Sequence, residues 1–295
     1  MLQINASIVK HKGKVWCAYR TQHLFKYDAK CYISELNEEF DPILNKRLKA
    51  ENNNTAFEDV RLFSFGDSLL AFYTYFPQIS ETDWLWQFGV GFGVVDLENF
   101  LITNQCSLRH LSKREHEKNW SPYVHDGELF ILTDYDPYIR VLKLGFLDTP
   151  AKEIYISPKR TLGWKYGELR GGTPLLPNPN NDNGWHYGFI HSYLPQSHGF
   201  NRYYYYTAVR FSHERKEIEY YPEPLQYQDE NPDEEYEMLW RKSNNRTIKV
   251  IFPIGIMHYE DGLMVSFGKD DVMSFTQHFK WDFIESLFNA EIRNK

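Results

Sequence analysis

Along the chain, short apolar runs and polar clusters alternate in a pattern that recurs five times. Each copy has a polar cluster, an apolar run, a Gly-containing turn, and a second apolar run closing on a polar or aromatic residue. The copies are NASIVKHKGKVWCAYR from Asn5, FEDVRLFSFGDSLLAFYT from Phe57, KNWSPYVHDGELFILTDY from Lys118, RGGTPLLPNPNNDNGWHYGFIHSY from Arg170 and VIFPIGIMHYEDGLMVSFGKDD from Val250. Each predicts an antiparallel hairpin, with turns at Lys12-Gly13-Lys14, Gly66-Asp67, Asp126-Gly127, Asn183-Gly184 and Asp261-Gly262, because Asn-Gly and Asp-Gly supply the positive backbone angles that tight hairpins need. A hairpin repeated at intervals of roughly 40–60 residues is the signature of a β-propeller. The expectation is an all-β, five-bladed β-propeller occupying residues 1–295 as one domain, closed by pairing of the segment Phe275 to Trp281 with the N-terminal strand. Closure of the ring removes edges that would otherwise invite aggregation. The one helix candidate is Trp281 to Asn289 (WDFIESLFN), with a closing strand as the alternative reading of the same run.

The shared polarity of the hairpins decides where chemistry is to be sought. The start of each first strand and the end of each second strand lie at one end of the blade, so that end gathers Asn5 and Arg20, then Glu58, Asp59 and Arg61 with Thr74. It also gathers Lys118 and Asn119 with Asp134 and Asp136, then Arg170 with His191, and finally Asp270 and Asp271. The other end gathers the turns. Ionic groups above apolar strands predict a polar pocket at one mouth of the central channel.

Composition narrows the field. The chain of 295 residues carries a formal charge of −7 and no basic stripe, which argues against nucleic acid as a partner. No apolar run approaches the roughly 20 residues of a membrane helix, and no leader is evident, so a cytoplasmic location is expected. Cys17, Cys31 and Cys106 have no metal-ligand spacing, and the eleven histidines are scattered, so neither a metal nor another cofactor is expected. Aromatic residues make up 17% of the chain; most are expected to fill the space between blades, while Trp120, Trp164 and Trp185, beside polar motifs, are candidate platforms for a sugar face.

Asp59 opens an inner strand with Arg61 two residues on, hence on the same face. A carboxyl group in such a pocket can donate a proton to a glycosidic oxygen; the alternative is that Glu58 or Asp59 pairs with Arg61 merely to anchor the blade. Lys118, Asn119, Arg170 and His191 form a second group of cations and amides suited to a phosphate, a diphosphate or a carboxylate. A hydrolase needs a second carboxylate as base, for which Asp134 and Asp136 are candidates, and a non-catalytic sugar-binding propeller keeps the platforms without the proton chemistry.

These motifs resemble glycoside hydrolase family 130, the β-mannoside phosphorylases and their relatives. FEDVR resembles that family's EDPR strand with Val60 in place of Pro, NASIV with the later Arg20 resembles its first-blade motif, and KNWSPYVHDG stands where it has a basic residue and an amide before a Pro. GGTPLL with GWHYGFIHSY, and VIFPIG with VSFGKDD, resemble its last two blade signatures. The resemblance implies an inverting glycosyl-transfer enzyme in which Asp59 is the proton donor and Asp271 binds sugar. It implies that Asn5, Arg20 and Arg61 contact or orient the sugar and that Lys118, Asn119, Arg170 and His191 face phosphate or the diphosphate of a nucleotide sugar; Asp136, from its place on the rim, and Trp120, from its place beside a polar motif, are further candidate substrate contacts. Divergent relatives resemble β-1,2-mannosyltransferases, so a nucleotide sugar and inorganic phosphate remain alternative partners beside the oligosaccharide.

Overall fold

The computed structural model describes residues 2–23, 26–51, 55–77, 89–112, 118–145, 150–160, 163–195, 202–225, 248–269 and 273–289. Their strands form five separate sheets in chain order, antiparallel but for the short parallel pairings of β5 with β9 and β19 with β17, the blades of a five-bladed β-propeller. The first blade is β1 (Leu2–His11), β2 (Lys14–His23), β3 (Lys26–Leu36) and β4 (Pro42–Arg47). The second joins β5 (Lys49–Ala50) to β6 (Thr55–Phe65), β7 (Ser68–Pro77), β8 (Gly89–Asp96) and β9 (Leu101–Ser107). The third is β10 (Ser121–His125), β11 (Glu128–Asp134), β12 (Arg140–Lys143) and β13 (Lys152–Ile156). The fourth contains β14 (Glu168–Gly172), β15 (Leu176–Pro177), β16 (His186–Pro195), β17 (Arg202–Ser212), β18 (Glu217–Tyr220) and β19 (Ile248–Lys249). The fifth is β20 (Ile251–Tyr259), β21 (Gly262–Lys269) and β22 (Met273–Lys280), followed by helix α1 (Trp281–Ser286), at the helix candidate.

The hairpin turns carry the backbone angles their sequences predict. Lys12-Gly13 and Asp126-Gly127 both have positive φ at two successive residues, the type I′ pattern that matches strand twist. The last turn is shifted by one residue from expectation: Tyr259 pairs with Gly262, so Glu260-Asp261 makes the bend, with Glu260 at φ +46°.

Apolar side chains pack between neighbouring blades. Ile33, Leu62, Ala71 and Ile102 fill the gap between blades one and two; Phe63, Phe72, Trp120 and Ile131 fill the next; Tyr123, Leu132, Ile190 and Phe211 the third. Tyr187, Phe189, Phe267 and Phe279 fill the fourth gap and continue onto Trp281 and Ile284 of α1. Most of the aromatic excess therefore serves blade packing, where rings of this size span the space between two pleated faces.

The ring closes differently from expectation. Among the described residues β22 pairs with β21 alone, and β1 with β2 alone. The N-terminal strand is already the inner strand of its own four-stranded blade, so it is not free to complete the fifth. Closure is by face packing and side-chain bonds instead: Ser274 Oγ accepts from the Ala6 amide at 3.1 Å and Ser266 Oγ from the Ile8 amide at 3.3 Å.

Candidate active site

The inner strands share one irregularity that places the site. Register breaks between Ile4 and Ser7 in β1, Glu58 and Arg61 in β6, Arg170 and Gly172 in β14, and Pro253 and Gly255 in β20. In the third blade the equivalent residue, Asn119, stands just before β10. A bulge inserts one residue and re-aims a side chain. At the bulge the first three blades carry Asn5, Asp59 and Asn119, all in the left-handed region at φ +56°, +53° and +67°. Asn and Asp tolerate that conformation best among residues with a side chain. The fourth blade has Gly171 there, and a side chain could not be accommodated: its Cβ would lie 1.6 Å from the Asn119 carbonyl oxygen.

The bulge brings the charged residues together. Asn5 Nδ2 donates to Asp59 Oδ1 at 2.7 Å, and Asn5 Oδ1 lies where a Cβ on Gly268 would be. Arg20 bridges both acidic residues, with Nη1 2.8 Å from Glu58 Oε2 and Nε 3.4 Å from Asp59 Oδ1. Lys118 Nζ reaches Asp59 Oδ2 at 3.6 Å from the third blade. Arg61, fully buried, donates from Nε to the Gly172 carbonyl at 2.8 Å and from Nη1 to the Asp59 carbonyl at 3.3 Å, with its guanidinium 5.1 Å from the Phe252 ring centre.

Burial alone would raise the Asp59 pKa, but Arg20, Lys118 and Arg61, with the Asn5 hydrogen bond, outweigh it and hold the carboxyl well below the usual carboxylate range. Asp59 is thus ionised in the free site. Burial, with Tyr135 and Asp59 acting the other way, brings Arg61 down to about 10, still a cation at neutral pH.

Two polar groups await partners. Asn119 is 2% exposed, and among the described residues neither its Nδ2 nor its Oδ1 has a hydrogen-bond partner; Arg61 Nη2 is likewise buried and unbonded among them. Buried groups of this kind cost free energy unless something satisfies them. Tyr135, which the sequence reading did not single out, lies beside them: its hydroxyl donates to Ser121 Oγ at 2.6 Å and sits 3.2 Å from where a Gly171 Cβ would be.

Not every expected residue joins the site as foreseen. His191 is near it but buried, with Nδ1 2.5 Å from the Gly171 carbonyl and its ring stacked on Tyr204. A carbonyl only accepts, so Nδ1 carries the proton. Burial, then the Arg170 and Arg61 charges, drive its pKa well below the normal histidine value, so His191 is a neutral acceptor at Nε2 rather than a cation. Arg170 is partly exposed, paired to Glu168 at 3.3 Å and set over Tyr193.

Trp120 is 2% exposed within the core between blades two and three, because the residue after the bulge points back between the blades; it has no face to offer a sugar. Trp185 lies at the turn end, covered by Arg210 and Arg215, and Trp164 packs on Tyr166 and Tyr220. Burial lowers the Arg160 pKa, with Tyr155 and then Asp136 acting the other way, so Asp136 lies near Arg160, and no interaction joins it to the Asp59 cluster among the described residues. Asp271 and Asp270 lie outside the described residues. The turn end is less bare than expected: His125, Asp126 and Glu214, and likewise Glu260, Asp261 and His278, form exposed groups there with ligand-capable atoms within 4.8 Å of one another.

Fold and site together define a five-bladed β-propeller with a carboxylate bound by cations at its axis. No family profile and no curated protein sequence matches the chain. Solved structures do. One, described under the statement that the GH130 family of mannoside phosphorylases contains glycoside hydrolases that target β-1,2-mannosidic linkages in Candida mannan, superposes with a TM-score of 0.64 at 12% identity, covering 95% of this chain and 85% of that one. MPT-1, a GDP-Man-dependent mannosyltransferase from Leishmania mexicana, gives 0.62 at 11% over 96% and 86%. The β-1,2-mannobiose phosphorylase of Listeria innocua gives 0.57 at 12% over 97% and 92%. At such identities the likeness is one of fold, and it agrees with the family resemblance read from the motifs. No helix among the described residues is long and apolar enough to cross a membrane.

Proposed function

We propose that the protein transfers a glycosyl unit, β-mannosyl by its resemblance, with inversion between a sugar hydroxyl and a phosphate or nucleoside diphosphate. Asp59 moves the proton. The observation that carries this reading is the ionised Asp59 carboxylate, on a strained bulge at the axis, beside Lys118 and the unsatisfied Asn119 and Arg61 groups.

In the synthetic direction the Asp59 carboxylate takes the acceptor hydroxyl proton as that oxygen attacks the anomeric carbon, and the bond to the phosphate or diphosphate breaks with its electrons on the departing oxygen. Lys118, Asn119, Arg61 and Arg170 compensate that anion's charge. In the reverse direction Asp59 must be protonated. Phosphate arriving beside Lys118 draws on the charge that keeps the carboxyl ionised, which raises its pKa toward what an acid needs. The neutral His191 serves as a hydrogen-bond acceptor.

Ionised Asp59 is ready to act as the base of the synthetic direction, which suits a nucleotide-sugar or glycosyl-phosphate donor. Hydrolysis is the weaker reading, because it needs a second carboxylate as base, and among the described residues the carboxylate beside Asp59 is Glu58, which Arg20 holds. Solved structures of this fold include a GDP-Man-dependent mannosyltransferase and a mannobiose phosphorylase, in keeping with either anionic partner.

The test is turnover of mannose 1-phosphate and GDP-mannose with mannoside acceptors, in native protein and in Asp59→Asn. Asn preserves size and bonding but carries no proton, so a loss of about 10²–10⁴-fold is expected with saccharide binding retained. Full activity in the variant removes Asp59 from the chemistry. Saccharide binding by the native protein without any turnover makes it a sugar-binding propeller.

A further inference from the structure

The seam between the fifth and first blades is where β1 packs along β20, β21 and β22. Its buried apolar residues are Ile8, Cys17, Tyr19, Met257 and Met264, and among the described residues the fifth blade has three strands where the first has four. A cavity of about 280 Å³ lies between Ser274 and Thr276 of β22 and the outer half of the first blade. That is roughly nine times a water's share of liquid volume, room for one ring-sized molecule.

Its lining has a definite chemistry. None of the twelve lining residues is Asp, Glu, Lys, Arg or His, so an ionic occupant would lose its hydration without compensation. Tyr19 and Phe40 contribute aromatic rings, each steadied by another ring: Tyr19 by Tyr32 at 5.7 Å and Phe40 by Tyr259 at 5.6 Å. Gln3, Ser34, Ser274 and Thr276 add hydrogen-bonding groups.

Phe40 is held at φ +65°, unusual for a bulky residue. The tight turn that imposes it has the Phe40 amide donating to the Asn37 carbonyl and the Asp41 amide to Asn37 Oδ1. Strain of this sort persists where the surroundings over-determine it and clusters at ligand-binding positions. The cavity also adjoins the axial site through the chain, since Ala6 follows Asn5 and Tyr19 precedes Arg20.

We propose that this cavity is a second saccharide site, holding one neutral pyranose unit of the substrate or product away from the reacting bond. Apolar C–H faces against aromatic rings, with hydroxyl edges toward amide and hydroxyl side chains, are what the walls accept. The inference rests on the sugar-transfer reading above and adds a separate location.

The experiment is calorimetric titration of the full chain, in phosphate-free buffer, with β-1,2-linked manno-oligosaccharides of increasing length. Phe40→Gly removes the ring and relieves the strained backbone; Thr276→Val removes a hydroxyl without changing shape. Native protein is expected to bind longer chains more tightly than mannobiose. Both variants are expected to lose about two- to tenfold of that gain, the range of one aromatic contact, while binding and turning over mannobiose as before. Undiminished length dependence in both variants overturns the second site and leaves the axial reading standing. No saccharide binding at any length overturns both. Binding of indole, abolished by Phe40→Gly, with no length dependence for sugars, makes the cavity an apolar-ligand site and overturns the assignment.

Discussion

Replacing Lys118 by Met tests whether the cations around Asp59 set its protonation, on which its role as the base of the synthetic direction depends. Met keeps much of the apolar stem and deletes the charge. The Nζ to Oδ2 separation of 3.6 Å corresponds to about 4.6 kcal/mol at an effective dielectric constant of 20 and about 1.2 kcal/mol in bulk water. Lys118 is partly exposed, with 27% of its side chain accessible, whereas Asp59 is buried, so the result falls between these limits. At 1.36 kcal/mol per unit this is a rise of about 1–3 units in the Asp59 pKa. Arg20 and Arg61 remain to oppose burial, which limits the rise. In the synthetic direction Asp59 works as a base, so the acidic limb of the kcat/KM profile moves to higher pH by that amount, and carbon NMR of the labelled carboxyl in the free protein moves with it. A displacement below about half a unit by both measures would refute the claim that Lys118 holds the carboxylate ionised.

Three further outcomes follow from particular contacts. Trp120→Ala is expected to lower unfolding free energy by about 3–5 kcal/mol in denaturant melts, with saccharide affinity unchanged where the protein remains folded; selective loss of sugar binding would restore it as a platform. Gly171→Ala pushes a methyl into the Asn119 carbonyl and is expected to reduce transfer far more than the neighbouring Arg170→Ala, which mainly raises KM for the anionic partner; equal effects would count against the bulge as the positioning device. The depressed pKa of Asp59 contributes stability that is present above its unfolded value near 4 and is lost as pH falls from there toward the folded value. Urea midpoints below about pH 4 are therefore expected to fall more steeply in native protein than in Asp59→Asn, and parallel curves would contradict this.

The hairpin repeat is local information, because alternation, turn residues and run length act within a few neighbours, and so the five blades, the helix at Trp281 and the end of the axis that carries Asp59 were all legible in the residues. So was the meeting of Asn5, Arg20, Asp59, Arg61 and Lys118, since equivalent places in repeated hairpins must converge when the hairpins are set about one axis. The repeated bulge also left a trace: Asn5-Ala6-Ser7, Asp59-Val60-Arg61 and Asn119-Trp120-Ser121 follow one rule, a left-handed Asn or Asp followed by a residue turned back between blades. Only the assembled ring shows what that rule does, namely that Trp120 is core and not platform.

Protonation was likewise decided in three dimensions. The residue type of His191 allows a cation, but burial beside Arg170 and Arg61 makes it neutral, and Asp59 stays ionised because charges from the first three blades outweigh its burial. The seam belongs to the tertiary structure as well. Nothing local brings β22 beside the first blade; the cavity lined by Ser274, Thr276, Tyr19 and Phe40 arises where the first and fifth blades meet in the closed ring.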